Sequence, residues 1–174
     1  MTELVQPVRR AAPDAPLFRD AMARVASAVH VVTTIGPHGR VGLTATAVAS
    51  VSDTPPTVLV SIALPSRTLA VIEASGVFCI NTLPGHCEEL AEIFASRRGI
   101  DGEARFASHR WSSLTTGAPV LSEAVAAFDC RLVAAHDIAT HRILIGEVVG
   151  LGGAGPEVAD ATSLIYRNRR FEAV

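Results

Sequence analysis

Six histidines and three cysteines are the side chains of this chain best suited to ligate a metal, attack a carbon or move a proton. Their spacing argues against each role. His30, His38, His86, His109, His136 and His141 form no H-x-x-x-H or H-E-x-x-H pair. His136 and His141 are separated by a predicted turn, a poor geometry for two ligands on one strand, so no metal site is expected. Cys79, Cys87 and Cys130 are odd in number and lack a C-x-x-C pair, which argues against a disulfide framework or zinc site and for a reducing cytoplasm. There is no G-x-S-x-G elbow, and Cys87 follows His86 on a predicted helix, where adjacent side chains diverge. Hydrolytic chemistry is therefore not expected. His141, at the head of the apolar strand Arg142-Ile143-Leu144-Ile145-Gly146, is the histidine singled out for function; surface positions are expected for most of the others.

Gly150-Leu151-Gly152-Gly153-Ala154-Gly155 spells G-x-G-x-x-G after a strand-like run, the pattern that seats a pyrophosphate on a helix N-terminus. The motif also needs a following helix and a second strand, and the short remainder beginning at Pro156 leaves no room for them. The segment reads as a flexible surface loop. All 15 basic side chains are arginine. Without lysine there is no Schiff base and no P-loop lysine, so a bound anion must be held by guanidinium forks, hydroxyls and backbone N–H groups.

The elements that must position such groups are mostly strands. Asp14 and Pro16 precede Phe18, Met22, Val25 and Val29 at helical spacing, predicting a capped amphipathic helix of about three turns. Residues 29–35, the turn Gly36-Pro37-His38-Gly39 and the returning run 41–51 predict a hairpin, and Pro55-Pro56 precedes a buried strand over 57–63. Ser66 can cap a short helix carrying Leu69 and Ile72 and stopped at Ser75-Gly76. A strand over 77–83 leads to a helix opened by Glu88 and Glu89, with Leu90, Ile93 and Phe94 on one face and its close at Arg97-Arg98-Gly99. Long strands over 126–135 and 141–149 and a short one over 164–171 finish the chain. Three short helices cannot cover both faces of a parallel sheet, so the fold expected is mainly β with short helices, an antiparallel barrel.

The chain has 174 residues, enough for one domain with a sizeable core, and a net charge of −2. That charge offers no basic field for nucleic acid. Residues 1–15 mix charges, alanine and proline and read as a disordered arm rather than a signal peptide, leaving a single domain over 16–174. No segment is apolar for long enough to cross a bilayer.

Between Gly42 and Ser52 small residues and hydroxyls alternate where a core strand would carry large branched side chains. A flat ligand lying against the backbone would explain this, and so would a strand crowded under a helix; composition leaves both open.

With this segment in view the chain resembles the short-chain flavin reductases, reductase components of two-component monooxygenases. The resemblance runs from Phe18 to Phe171 through Phe18-Arg19-Asp20-Ala21-Met22, the 42–52 run before Pro55-Pro56, Phe78-Cys79-Ile80-Asn81-Thr82-Leu83, Gly117-Ala118-Pro119-Val120-Leu121, and His141 followed by Ile145-Gly146-Glu147-Val148. It implies an antiparallel split β-barrel, a homodimer, and a flavin lying along Thr44, Ala45, Thr46 and Ala47. It further implies a ribityl and phosphate wall containing Ser61, Ser66, Arg67 and Thr68, with Arg98 as a further phosphate partner. His141 would sit by the nicotinamide of NADH or NADPH, with Tyr166 and Arg170 on the neighbouring C-terminal strand. The chain departs from many relatives in having Ala139-Thr140 before that histidine and Arg169 near the end.

The resemblance implies hydride transfer between two bound molecules, so no catalytic acid, base or nucleophile is expected. Reduced flavin would pass by diffusion to a partner monooxygenase, with FAD favoured over FMN and NADH over NADPH. The alternative is a split-barrel protein that binds flavin, haem or pyridoxal phosphate without this turnover.

Overall fold

A computed structural model of the chain describes residues 12–153 and 162–174. The helices are α1 (Ala15–Met22), α2 (Arg67–Ser75) and α3 (Glu88–Phe94), with a 3₁₀ turn at Gly102–Phe106. The first strands are β1 (Ser27–Ala28), β2 (His30–Gly36), β3 (Gly39–Ala45), β4 (Val48–Asp53), β5 (Pro56–Ala63) and β6 (Val77–Thr82). They are followed by β7 (Trp111–Ser113), β8 (Pro119–Leu121), β9 (Ala126–Ile138), β10 (His141–Gly152), β11 (Leu164–Arg167) and β12 (Arg170–Ala173).

Seven strands make one antiparallel sheet in the order β3-β2-β6-β9-β10-β5-β4. Consecutive strands β3 and β4 therefore lie at opposite edges, and the short link Thr46-Ala47 must draw those edges together. The sheet curls into a barrel with a seam there, and the Ser61 N–H, donating to the Ala47 carbonyl at 3.0 Å, carries the β4–β5 pairing up to that link. This is the expected split barrel.

Side-chain alternation, with both faces covered, explains why β2 and β6 are buried almost without a break. Val32, Phe78 and Ile80 point into the barrel with Val60 and Leu144, under Leu69 and Ile72 of α2. Val31 and Cys79 face outward, into a second core shared with Leu90 and Phe94 of α3, Phe106 and Leu121. The barrel is thus filled by its own side chains, and a ligand has to lie outside it. Asn81, fully buried, ties the two layers: its amide donates to the Val31 carbonyl at 3.1 Å and accepts from the Leu121 N–H at 2.8 Å.

Helix α2 forms as expected, with Ser66 accepting from the Leu69 N–H and Gly76 at φ 72°. Other elements differ. Helix α1 is eight residues long, and among the described residues nothing covers its apolar side chains enough to bury one. The single strand expected over 41–51 is two, broken at Thr46-Ala47. The last strand is a hairpin that turns through Asn168 and Arg169, both at positive φ. Helix α3 ends at Phe94, short of Arg97-Arg98-Gly99. Gly150, Leu151 and Gly152 are not loop but the end of β10, paired with Asp129, Phe128 and Ala127 of β9; Ala154 and Gly155 lie outside the described residues. So do the first eleven residues of the expected N-terminal arm, while Asp14 and Ala15 already belong to α1 as its cap and first residue.

Candidate active site at the barrel seam

The seam opens onto a cleft of about 720 Å³ lined by Thr44, Ala45, Thr46, Ala47, Ser61, Ser66 and His141. Seven of the residues expected at the site are thus brought together. Their side chains do different things. Thr44 Oγ1 donates to the Ala91 carbonyl at 2.6 Å, so its hydroxyl fastens β3 to α3. Ala45 is 8% exposed and closes the barrel. Thr46 and Ala47, outside any strand, are exposed along the cleft floor. Both side chains are small, which leaves the backbone of the link open to the cleft. Gly42 serves the same end: a Cβ there would stand 2.8 Å from the Phe94 ring, which walls the cleft.

A second cleft of about 320 Å³ continues the first through Leu43, Ser66, Phe94 and Ser96, and reaches Arg67 and Thr68. These two residues open α2, whose first-turn N–H groups have no intrahelical acceptor and favour an anion. Arg67 is exposed there, whereas Thr68 is 5% exposed and offers mainly its backbone. Arg98 is not in this cleft. Its guanidinium is engaged by Glu92 at 2.6 Å, and Arg105 occupies the place expected of it. Arg105 is held by the Ile100 carbonyl, Ser96 Oγ at 2.7 Å and Asp101 Oδ1 at 2.9 Å. The spacing of Asp101 and Arg105 is the one signal in the sequence that could have suggested a fixed guanidinium.

On the other side, a third cleft of about 390 Å³ joins the first at Phe18 and Thr46 and is lined by Tyr166 and Arg169. The Arg97 guanidinium lies 5.7 Å from the Tyr166 ring centre and 5.6 Å from that of Phe171. Arg170, expected here, lines none of the three clefts; the hairpin turn puts Arg169 in its place, in an ion pair with Asp20. His141 pairs with Ala63 across β5, and its Nδ1 lies 2.9 Å from Thr140 Oγ1. Sequence reasoning also missed Phe18, Phe94 and Ser96, whose place in the cleft depends on how α1 and α3 dock.

Among the described residues lining the main cleft, His141 is the one titratable side chain. The arrangement can stack a flat molecule, hold an anion at α2 and align a second molecule at His141. It offers no acid–base pair, and hydride transfer between two bound molecules requires none.

The comparisons agree with this chemistry. FMN reductase (NADH) RutF of Ancylobacter novellus is 48% identical over 158 residues, covering 90% of this chain and 83% of its own. Among solved structures, the NADH:FAD oxidoreductase of Streptomyces globisporus, in complex with NAD and FAD fragments, superposes with a TM-score of 0.81 at 26% identity, covering 98% of this chain and 96% of its own. The flavin reductase component of a bacterial two-component tryptophan halogenase gives a TM-score of 0.82 at 26% identity, covering 92% of this chain and 98% of its own. Residues 22–174 match the flavin reductase like domain, and it is to this family that the chain belongs.

Proposed function

We infer that the chain is an NADH-dependent flavin reductase supplying reduced flavin to a separate flavin-dependent monooxygenase. The observation that carries this reading is the meeting of the Thr46-Ala47 seam, the α2 N-terminus and His141 in one cleft without an acid–base pair. Bound together, flavin and nicotinamide would supply the redox chemistry, hydride transfer from nicotinamide C4 to flavin N5. The chain's residues bind and align: the 44–47 backbone along the ring, Ser61 and Ser66 on the ribityl side, Arg67 and the α2 N-terminus on the phosphate, and His141 and Tyr166 on the nicotinamide side. A guanidinium beside the helix start makes charge-assisted hydrogen bonds to phosphate without lysine.

FMN replaces FAD as the favoured flavin, because a relative sharing nearly half its residues is named an FMN reductase. The assembly is a homodimer, supported by the exposed apolar residues Leu17, Phe18 and Met22 of α1, Val51 of edge strand β4, and Leu151. Three buried free cysteines fit a reducing cytoplasm, and no helix among the described residues is long and apolar enough to cross a membrane.

Steady-state NADH oxidation with FMN, FAD or no flavin tests the reading. Oxidation should depend on added flavin and show a higher kcat/KM for FMN. Flavin bound tightly with no acceleration of NADH oxidation would instead indicate a binding module.

A further inference from the structure

Outside the three clefts, at the start of α3, four side chains capable of binding a metal lie near one another on three separate segments. His86 and Cys87 come from the turn before α3, His109 from the segment before β7, and Glu123 from the turn between β8 and β9. His86 Nε2 is 2.9 Å from Glu123 Oε2, His109 Nε2 is 3.7 Å from Glu123 Oε1, and Cys87 Sγ is 4.0 Å from His109 Nε2. Ligand atoms of His86, Cys87 and Glu123 all lie within 4.8 Å of one another, whereas His109 Nε2, near Cys87 and Glu123, lies outside that mutual set and joins a common shell only by a shift of its ring. Bonds of about 2.0–2.3 Å in a tetrahedral zinc site put ligand atoms roughly 3.3–3.6 Å apart, a value these separations bracket.

A nucleophile–histidine–carboxylate relay is the other reading of such a set, and the geometry opposes it. A relay uses the two opposite ring nitrogens of its histidine. Here thiol and carboxylate both approach Nε2 of His109, while Nδ1 lies 2.9 Å from Ser108 Oγ. In the tautomer in which Ser108 Oγ accepts from Nδ1–H, the Nε2 lone pair faces Cys87 and Glu123, as in metal-bound histidines. A divalent metal displaces the Cys87 thiol proton, and thiolate with carboxylate then balances its charge. Arg110 lines the same hollow and is the nearby cation that a neutral site tolerates.

We propose that His86, Cys87, His109 and Glu123 form a structural binding site for one zinc ion, pinning the start of α3 to the two turns beside it. Two imidazoles, a thiolate and a carboxylate are a borderline-soft donor set that suits zinc, and four protein ligands leave no open position for catalysis.

The test uses the full, tag-free chain after chelator treatment and dialysis, titrated with Co²⁺ and then Zn²⁺. At one equivalent of Co²⁺ a thiolate-to-cobalt charge-transfer band and tetrahedral d–d bands should appear, and Zn²⁺ should abolish both. Zn²⁺ should also raise the Tm of the parent. Cys87→Ser should remove the charge-transfer band. Glu123→Gln, at a half-exposed position outside the core, should weaken zinc binding by at least about tenfold and remove the Tm rise, while flavin reduction in zinc-free buffer stays at the parent's rate as proof of folding. The proposal is overturned if the parent shows no charge-transfer band, or if Glu123→Gln binds zinc as tightly as the parent.

Discussion

Arg67 is the residue on which the phosphate side of the account rests. If it holds the flavin phosphate, Arg67→Ala should weaken FMN binding by roughly 1.5–3 kcal/mol while leaving riboflavin binding and the Tm of flavin-free protein unchanged. Equal losses for FMN and riboflavin, measured by fluorescence titration, would make Arg67 a structural residue. Position in the sequence identified Arg67, Ser66 and His141 because each sits at an element boundary marked by local chemistry: a cap, a first helical turn, a strand head. Arg170 stands one residue from Arg169, and Arg98 seven residues from Arg105, the arginines that line the clefts. Which arginine of a run faces a cleft is decided by turns, the 3₁₀ turn at Gly102–Phe106 and the hairpin at Asn168-Arg169, whose geometry the residue order does not specify.

At the scale of elements, the seam is the decisive feature. The sequence showed a run of small residues over 42–52 but not that it divides between the two edges of one sheet, since register and edge pairing are non-local. Helix α2 was legible because its cap and stop are local. The extent of α1 was not, because none of its residues is buried among the described residues, and no core contact marks where the helix should end. Gly42 couples seam to helix. In Gly42→Ala the new Cβ meets Phe94 Cε1 at 2.8 Å and the Val32 carbonyl at 2.9 Å, so α3 must shift. Urea unfolding should show a loss of about 1–3 kcal/mol, accompanied by weaker FMN binding because Phe94 walls two clefts. Stability and FMN affinity both equal to the parent's would show that this contact does not shape the site.

For the whole molecule, the apolar residues left exposed on α1, β4 and β10 predict a homodimer burying more than about 1,000 Å². Light scattering that finds a monomer reducing flavin at full rate would remove the dimer from the account. Stability should fall in mild acid. Burial holds the His30 imidazole down at about 4, from an ordinary 6.5, so the folded state prefers it neutral. The unfolded chain then binds more protons between these values, and stability present above about 6.5 is lost as pH falls toward 4, amounting to roughly 2–3 kcal/mol by pH 4.5. His30→Leu should flatten that part of the profile in denaturant unfolding; an unaltered slope would assign it to other groups. Whether flavin and NADH meet at the seam is read out by anaerobic rapid mixing of NADH and excess FMN with the chain, followed at the oxidised flavin band. The parent should bleach many equivalents of FMN, and His141→Ala should do so more slowly with a raised KM for NADH but an unchanged FMN Kd. Bleaching no faster than in protein-free buffer, or a His141→Ala variant identical to the parent in both rate and KM, would contradict that meeting.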